Sequence, residues 1–365
     1  MEAPGDNSTS LVVLLTGGSG YVGGRLIPLL ERQRVVLRCV ARNPDKMRLC
    51  VKKTTQVVRG DVLDVASLDG ALHGVHTGYY LVHLMAGSND FEKQDRQAAI
   101  NFAEAAKKAG VRRIIYLGGL GDDADPNLSP HLRSRHEVGR FLQDSGVETV
   151  ELRASMVVGA GSLSFQLMKA LTDRLPVMLC PRWLSTPTQP IAVDDVLAYL
   201  LAAKDLPAGE SRIIEIGGTD VVSYGELIRE YARQKGLRRW LISVPVLTPY
   251  LSSLWLALVT PTAFEVGRHL IEGLKNPTVV RDTKALDVFP IRPMGVRDAI
   301  QRALGKDKAE PNPLCTAANQ ALLVQDGNGR TIWFRCIHYD PQPAGRIVVF
   351  GFARFEPLVH QPDDG

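Results

Sequence analysis

Leu11-Val12-Val13-Leu14-Leu15-Thr16-Gly17-Gly18-Ser19-Gly20-Tyr21-Val22-Gly23 is the stretch that decides the fold. Its five leading apolar residues read as a strand buried on both faces of a parallel sheet. Residues 21–32 then set Val22, Leu26, Leu29 and Leu30 on one helical stripe. Glycines between such a strand and such a helix have a specific use. One permits a tight turn, Gly20 lets the backbone approach a pyrophosphate, and Gly23 allows close helix–strand packing. The helix N-terminus offers amide N–H groups and a partial positive charge to the phosphates. Thr16, Gly17, Gly18, Ser19, Gly20, Tyr21, Val22 and Gly23 are therefore the expected cradle of a dinucleotide.

The same alternation continues outward. Strands are expected at 35–40, 55–59, 77–81, 113–117 and 148–153, with helices at 66–72, 92–109 and 136–145. Strand–helix–strand units of this kind close right-handed crossovers, so the fold class is α/β, a doubly wound parallel sheet. Beyond 160 the pattern loosens into helices at 164–174, 194–204 and 224–234 and strands at 190–193 and 213–216. The expected organisation is a dinucleotide-binding domain over 1–160, a smaller substrate-side lobe over 161–305 interleaved with the sheet, and a tail over 306–365. In the tail, Asp326-Gly327-Asn328-Gly329 between two apolar runs signals an antiparallel hairpin, with a third strand at 346–350.

Between the two nicotinamide dinucleotides, the end of the second strand discriminates. An NAD site places Asp or Glu there for the ribose hydroxyls, whereas this chain has Val40-Ala41-Arg42-Asn43 and no acid before Asp45. Arg42 suits a 2′-phosphate, with Arg38 as a lesser helper, so NADP(H) is expected in preference to NAD(H). Gly60-Asp61-Val62 closes the third strand, where Asp61 can accept from the adenine amino group and Val62 can pack on the ring; the alternative is a helix N-cap at Asp61 or Asp64.

The totals exclude several classes. A formal net charge of +4 with no run of five basic residues gives no nucleic-acid footprint. Five widely spaced cysteines without a C-x-x-C pattern argue against a disulfide scaffold and a zinc site. His73 and His76 have no third ligand nearby in sequence, so no metal is expected. The acidic N-terminus and short first apolar run do not make a signal peptide, and a cytoplasmic protein follows as the expectation. The uncharged run 241–264, cut by Pro245, Pro249 and Pro261, is expected as a buried or interfacial helix, with peripheral membrane or partner contact as the alternative. Oligomerisation is left open.

TGGSGYVG at 16–23, GDVLD at 60–64, Leu152-Arg153-Ala154 and Pro190-Ile191-Ala192-Val193-Asp194-Asp195-Val196 together resemble the extended short-chain dehydrogenase/reductase superfamily, in its atypical, NmrA-like branch. The resemblance spans about residues 12–304 and implies a Rossmann domain. It also implies that Tyr80, Leu81, Val82 and His83 line the cofactor groove and that Ile191 lies near the nicotinamide. Active relatives use a Tyr-x-x-x-Lys pair with a Ser or Thr nearby. Here His131 stands in the Tyr position, Arg135 in the Lys position, and Gly118-Gly119 in place of the hydroxyl. His131 is the candidate acid, Arg135 its partner and Tyr80 an alternative proton donor. The implied activity is hydride transfer to or from a small apolar substrate, over a lobe carrying Phe165, Met168, Met178, Trp183 and Trp255. The competing expectation is a non-catalytic NAD(P)H-binding sensor or structural subunit.

Overall fold

Val13 and Leu15 turn to one face of β1 (Val12–Thr16) and Leu14 to the other, and all three are buried. That burial on both faces is what a central parallel strand requires. The computed structural model describes residues 11–84, 91–180, 182–243, 273–306, 322–325 and 331–334.

After β1 come α1 (Tyr21–Leu30), β2 (Val36–Ala41), α2 (Pro44–Arg48), β3 (Gln56–Arg59), α3 (Val65–Leu72) and β4 (Thr77–Tyr80). The second half of the sheet brings α4 (Phe91–Lys108), β5 (Arg113–Gly119), α5 (Pro130–Asp144) and β6 (Glu148–Ala154). Next are β7 (Val157–Val158), α6 (Leu163–Arg174), β8 (Val177–Cys180), β9 (Pro187–Thr188), β10 (Ile191–Ala192), α7 (Val193–Ala203) and β11 (Arg212–Ile216). The lobe ends with β12 (Val222–Ser223), α8 (Tyr224–Gln234), β13 (Trp240–Ser243), α9 (Lys284–Val288) and α10 (Val296–Lys306).

Seven parallel strands form the central sheet in the order β3-β2-β1-β4-β5-β6-β11. The chain is an α/β, doubly wound parallel sheet of the Rossmann type. Its winding reverses between β1 and β4, where a crevice opens at the strands' carboxyl ends. Successive residues of each strand feed two different cores. Val13, Leu15, Tyr79 and Ile115 pack with Leu26 and Ile27 of α1 and Val196 and Leu200 of α7. Leu14, Tyr80, Ile114 and Tyr116 pack with Leu68 of α3, Phe102 of α4 and Val138 of α5. A third core joins Phe165 and Met168 of α6, Met178 of β8, Tyr231 of α8 and Ile300 of α10. Phe165, Met168 and Met178 are thus core residues of the lobe; Trp255 and the side chain of Trp183 lie outside the described residues.

Two boundaries differ from the sequence reading. Helix α5 begins at Pro130, six residues before the expected start, because Ser129 caps it by accepting from the Leu132 amide at 3.3 Å. Proline at the first helical position fits that cap. Strand β13 claims residues 240–243, which include the start of the uncharged run, and pairs in parallel with β8. Residues 244–264 lie outside the described residues, and among the described ones no helix is long and apolar enough to cross a membrane.

In the tail, β14 (Leu322–Gln325) pairs antiparallel with β15 (Thr331–Phe334). The turn between them and the strand expected at 346–350 lie outside the described residues. Cys39 and Cys180 are buried free thiols.

Candidate functional site

The glycine loop joins β1 to α1 at the point where the winding reverses. Thr16 is buried, and its hydroxyl donates to the Tyr79 carbonyl at 2.9 Å, tying the ends of β1 and β4 together. Gly17 makes the tight turn with φ of 71°, in the left-handed region that side chains avoid. A Cβ there would also lie 2.3 Å from the Leu81 carbonyl oxygen. Gly23 packs the helix onto the loop, since its Cβ would lie 2.3 Å from the Gly17 oxygen. A Cβ at Gly20, by contrast, would meet only the Gly17 oxygen, at 3.2 Å.

Gly20 is the N-cap of α1, without a side-chain cap, and no acid stands in the first turn. The amides of Tyr21, Val22 and Gly23 have no acceptor within the helix. Exposed Ser19 and Gly20 form the tip of the loop, while Val22 packs against the first core and the Tyr21 ring carries the Arg25 guanidinium 4.3 Å from its centre. This arrangement fits a pyrophosphate: amide donors, a positive dipole end, and bare glycine at the point of approach.

Arg42 follows β2 directly, is exposed, and makes no ion pair among the described residues. Its neighbours are already engaged. Asn43 caps α2 by accepting from the Lys46 amide at 3.1 Å, and Asp45 pairs with Arg48 at 2.7 Å. Arg38 is removed as a helper, because its guanidinium donates to Gln56 and to the Ala71 and His73 carbonyls. The half-buried Asp61 accepts from the Leu63 amide at 3.0 Å, and Asp64 rather than Asp61 caps α3. Val62 departs from expectation: its side chain belongs to the core beneath α3 and α4, while its carbonyl accepts from Asn101 at 3.0 Å.

Leu81, Val82 and His83 leave the end of β4 beside the glycine loop, each half-buried. His83 reaches sideways. Its Nδ1 lies 2.9 Å from an Asp95 carboxylate oxygen and its Nε2 lies 3.2 Å from Nδ1 of His131. Asp95 is buried on α4; its carboxylate also accepts from the Leu84 amide at 2.9 Å and from the Ser134 hydroxyl at 3.2 Å. Burial opposes the charge on Asp95, but the bonds from His83 and Leu84 and the Arg135 charge outweigh it and hold the carboxyl below the usual range. Burial likewise pulls His83 below its ordinary value, against the raising effect of Asp95.

Two of the expected site residues, Tyr80 and Ile191, lie in the core. Tyr80 is not a proton donor to the groove: its ring lies in the core against Phe102 and Tyr116, with centroids 5.0 and 6.1 Å away, and burial pushes its hydroxyl far above the usual tyrosine range. Ile191 is fully buried in the first core and lines no groove. Arg135 is half-buried; its guanidinium donates to the Leu117 carbonyl, lies 4.9 Å from the centre of the Tyr116 ring, and acts electrostatically on Asp95 and His83. The missing hydroxyl on β5 is also accounted for. A Cβ at Gly118 would sit 2.7 Å from a carboxylate oxygen of buried Glu151, and one at Gly119 would sit 2.9 Å from Leu132. His73 and His76 are separately occupied, the first through its carbonyl to Arg38 and the second through Thr77 at 2.9 Å. Among the described residues, no group of three or more His, Cys, Asp or Glu side chains could hold a metal.

Sequence reasoning misses Asp95 and Ser134. Asp95 carries a signal, since it shares the α4 stripe of Phe91, Ala98, Ala99 and Phe102, where a charge needs a partner.

Comparison with known proteins agrees with this geometry. Residues 17–162 match the family model described as NAD(P)H-binding. An NAD(P)H azoreductase of Xenophilus azovorans is 26% identical over 140 residues, which is 38% of this chain and 44% of that one. The match therefore spans less than half of that relative. Among solved structures, a triphenylmethane reductase of Citrobacter sp., complexed with NADP(H), superposes with a TM-score of 0.63 at 16% identity, covering 80% of this chain and 100% of that one. An NADPH-dependent quinone oxidoreductase of Escherichia coli, complexed with NADPH, gives 0.62 at 20% identity, covering 80% and 99%. Residues 17–162 thus match an NAD(P)H-binding family model, and the solved structures share the Rossmann-type fold of this chain.

Proposed function

We propose that the chain is an NADP(H)-dependent oxidoreductase of the atypical, NmrA-like short-chain type, moving a hydride to or from a small apolar substrate. The observation that supports this reading best is the uncapped amide cradle that opens α1, read together with two further features. These are exposed Arg42 directly after β2 and the His83–His131 contact after β4. The bound nicotinamide supplies hydride chemistry, which no side chain can. The loop amides would hold the pyrophosphate, Arg42 would take the 2′-phosphate, and Asp61 would offer its second carboxylate oxygen to the adenine. His131 exchanges a proton with the substrate, the role that tyrosine fills in active relatives. The azoreductase and the quinone oxidoreductase among the similar proteins favour conjugated, electron-poor acceptors.

The test is turnover of NADPH with a panel of azo, quinone, enone and carbonyl acceptors. Wild type should reduce at least one of them. His131→Ala should lose about a hundredfold or more in kcat with unchanged NADPH affinity, the scale expected for removing a general acid. Saturable NADPH binding without turnover on any acceptor would instead support the sensor or scaffold reading, to which the loss of the Tyr–Lys pair also points.

A further inference from the structure

Asp95, His83 and His131 come from α4, the end of β4 and the first turn of α5, and they meet only through the fold. Their hydrogen positions follow from the donors already present. The Leu84 amide and the Ser134 hydroxyl both donate to Asp95, whose carboxyl is held ionised, so Asp95 can only accept. Nδ1 of His83 must then carry the proton in the 2.9 Å contact. Burial keeps His83 neutral, so its Nε2 is bare and must accept. The ring atom that faces it at 3.2 Å, Nδ1 of His131, must therefore donate.

We infer that Asp95 and His83 are positioning residues that fix His131 as the Nδ1–H tautomer, making Nε2 the atom that gives and takes the catalytic proton. This rests on the reading of His131 as the acid. In the reduction of a carbonyl, a bound reduced nicotinamide would supply the hydride that the substrate carbon takes. The substrate oxygen takes the proton from Nε2 of the His131 imidazolium, which becomes neutral and is reprotonated from solvent. In the oxidation of an alcohol the neutral ring accepts that proton. Charge on the His131 imidazolium would polarise His83 toward Asp95, while the Arg135 charge on α5 acts against a charge on His83. Among the described residues, Arg133 of α5 and Glu92 of α4 pair with each other at the surface at 3.2 Å. A tautomer fixed from behind by a carboxylate is the same device that orients imidazoles in hydrolytic triads and metal sites.

The decisive experiment uses Asp95→Asn and nitrogen-15 spectra of the histidine rings in the protein without cofactor. The Leu84 amide pins the carbonyl oxygen of the new amide, so its NH₂ faces Nδ1 of His83 and donates. That inverts the chain. His83 then donates from Nε2, and His131 switches to the Nε2–H tautomer. Wild type should show His131 protonated at Nδ1. Asp95→Asn should show the opposite pattern, with the His131 protonation midpoint lower by about one pH unit. The acid limb of kcat against pH should shift by the same amount. His83→Asn, which removes the relay ring, should leave His131 without a single tautomer and serves if the first variant fails to fold. An unchanged His131 tautomer and midpoint in a folded variant overturns the inference, even if His131→Ala abolishes turnover. Failure of wild type to bind or use NADPH overturns the proposed function instead and leaves the ring spectra to decide the tautomer independently.

Discussion

Replacing Arg42 with alanine tests the proposed contact with a 2′-phosphate in isolation. The side chain is exposed and makes no ion pair among the described residues, and the adjacent α2 cap rests on Asn43, so its removal leaves the cap and the strand intact. A charge-assisted hydrogen bond is worth about 1.5–3 kcal/mol, or roughly 10- to 150-fold in Kd. Exposure and screening at physiological salt place Arg42 near the lower end, about tenfold. Calorimetric titration of wild type and Arg42→Ala with NADPH and with NADH should show that loss for NADPH alone. The wild-type preference should shrink as salt rises, and Arg42→Lys should recover part of it. Equal losses for both cofactors, or none for either, would refute the assignment of Arg42 to the 2′-phosphate.

The same geometry fixes other outcomes. Gly23→Ala places a methyl 2.3 Å from backbone, so loop or helix must shift; the melting transition should report a loss of about 1–3 kcal/mol with weakened cofactor binding. Gly24→Ala, whose Cβ would meet only the Gly18 oxygen at 3.4 Å, should keep binding and gain about 0.5–1 kcal/mol from helix propensity. Burial, followed by the Arg153 charge, holds His136 below its ordinary value, and burial does the same at His83. The unfolded chain therefore takes up those protons first. Stability should be full above about pH 6.5 and decline as pH falls below it. Urea midpoints between about pH 7.5 and 5 should show this slope, and His136→Gln should flatten it.

The parts legible in the sequence are those encoded locally. Strand, glycine turn and helix over residues 11–32 each carry their own pattern, and the missing acid after β2 is visible in four consecutive residues. Tyr80 and Ile191 escape a sequence reading for a different reason. A residue's place at a strand end is legible, but the face it takes depends on which helices cover the sheet. In a strand buried on both sides, polarity gives no hint of that choice. The Asp95–His83–His131 chain is invisible as a unit because its members sit on α4, the end of β4 and the first turn of α5, and only the sheet order places those elements side by side. The start of α5, by contrast, is written in Ser129-Pro130, a cap followed by a first-turn proline.

The position of β11 has a consequence for how the domain can be handled. The NAD(P)H-binding match stops at residue 162, yet Arg212–Ile216 runs alongside Val150–Ala154 in continuous register. A fragment cut at the end of the match would bare a full row of unpaired backbone groups on β6, a template for aggregation. Val196 and Leu200 of α7 would leave with it, uncovering Val150 and Leu152. The cofactor half is therefore no portable module: any transplant or minimised version must carry residues 193–216 along with the glycine loop.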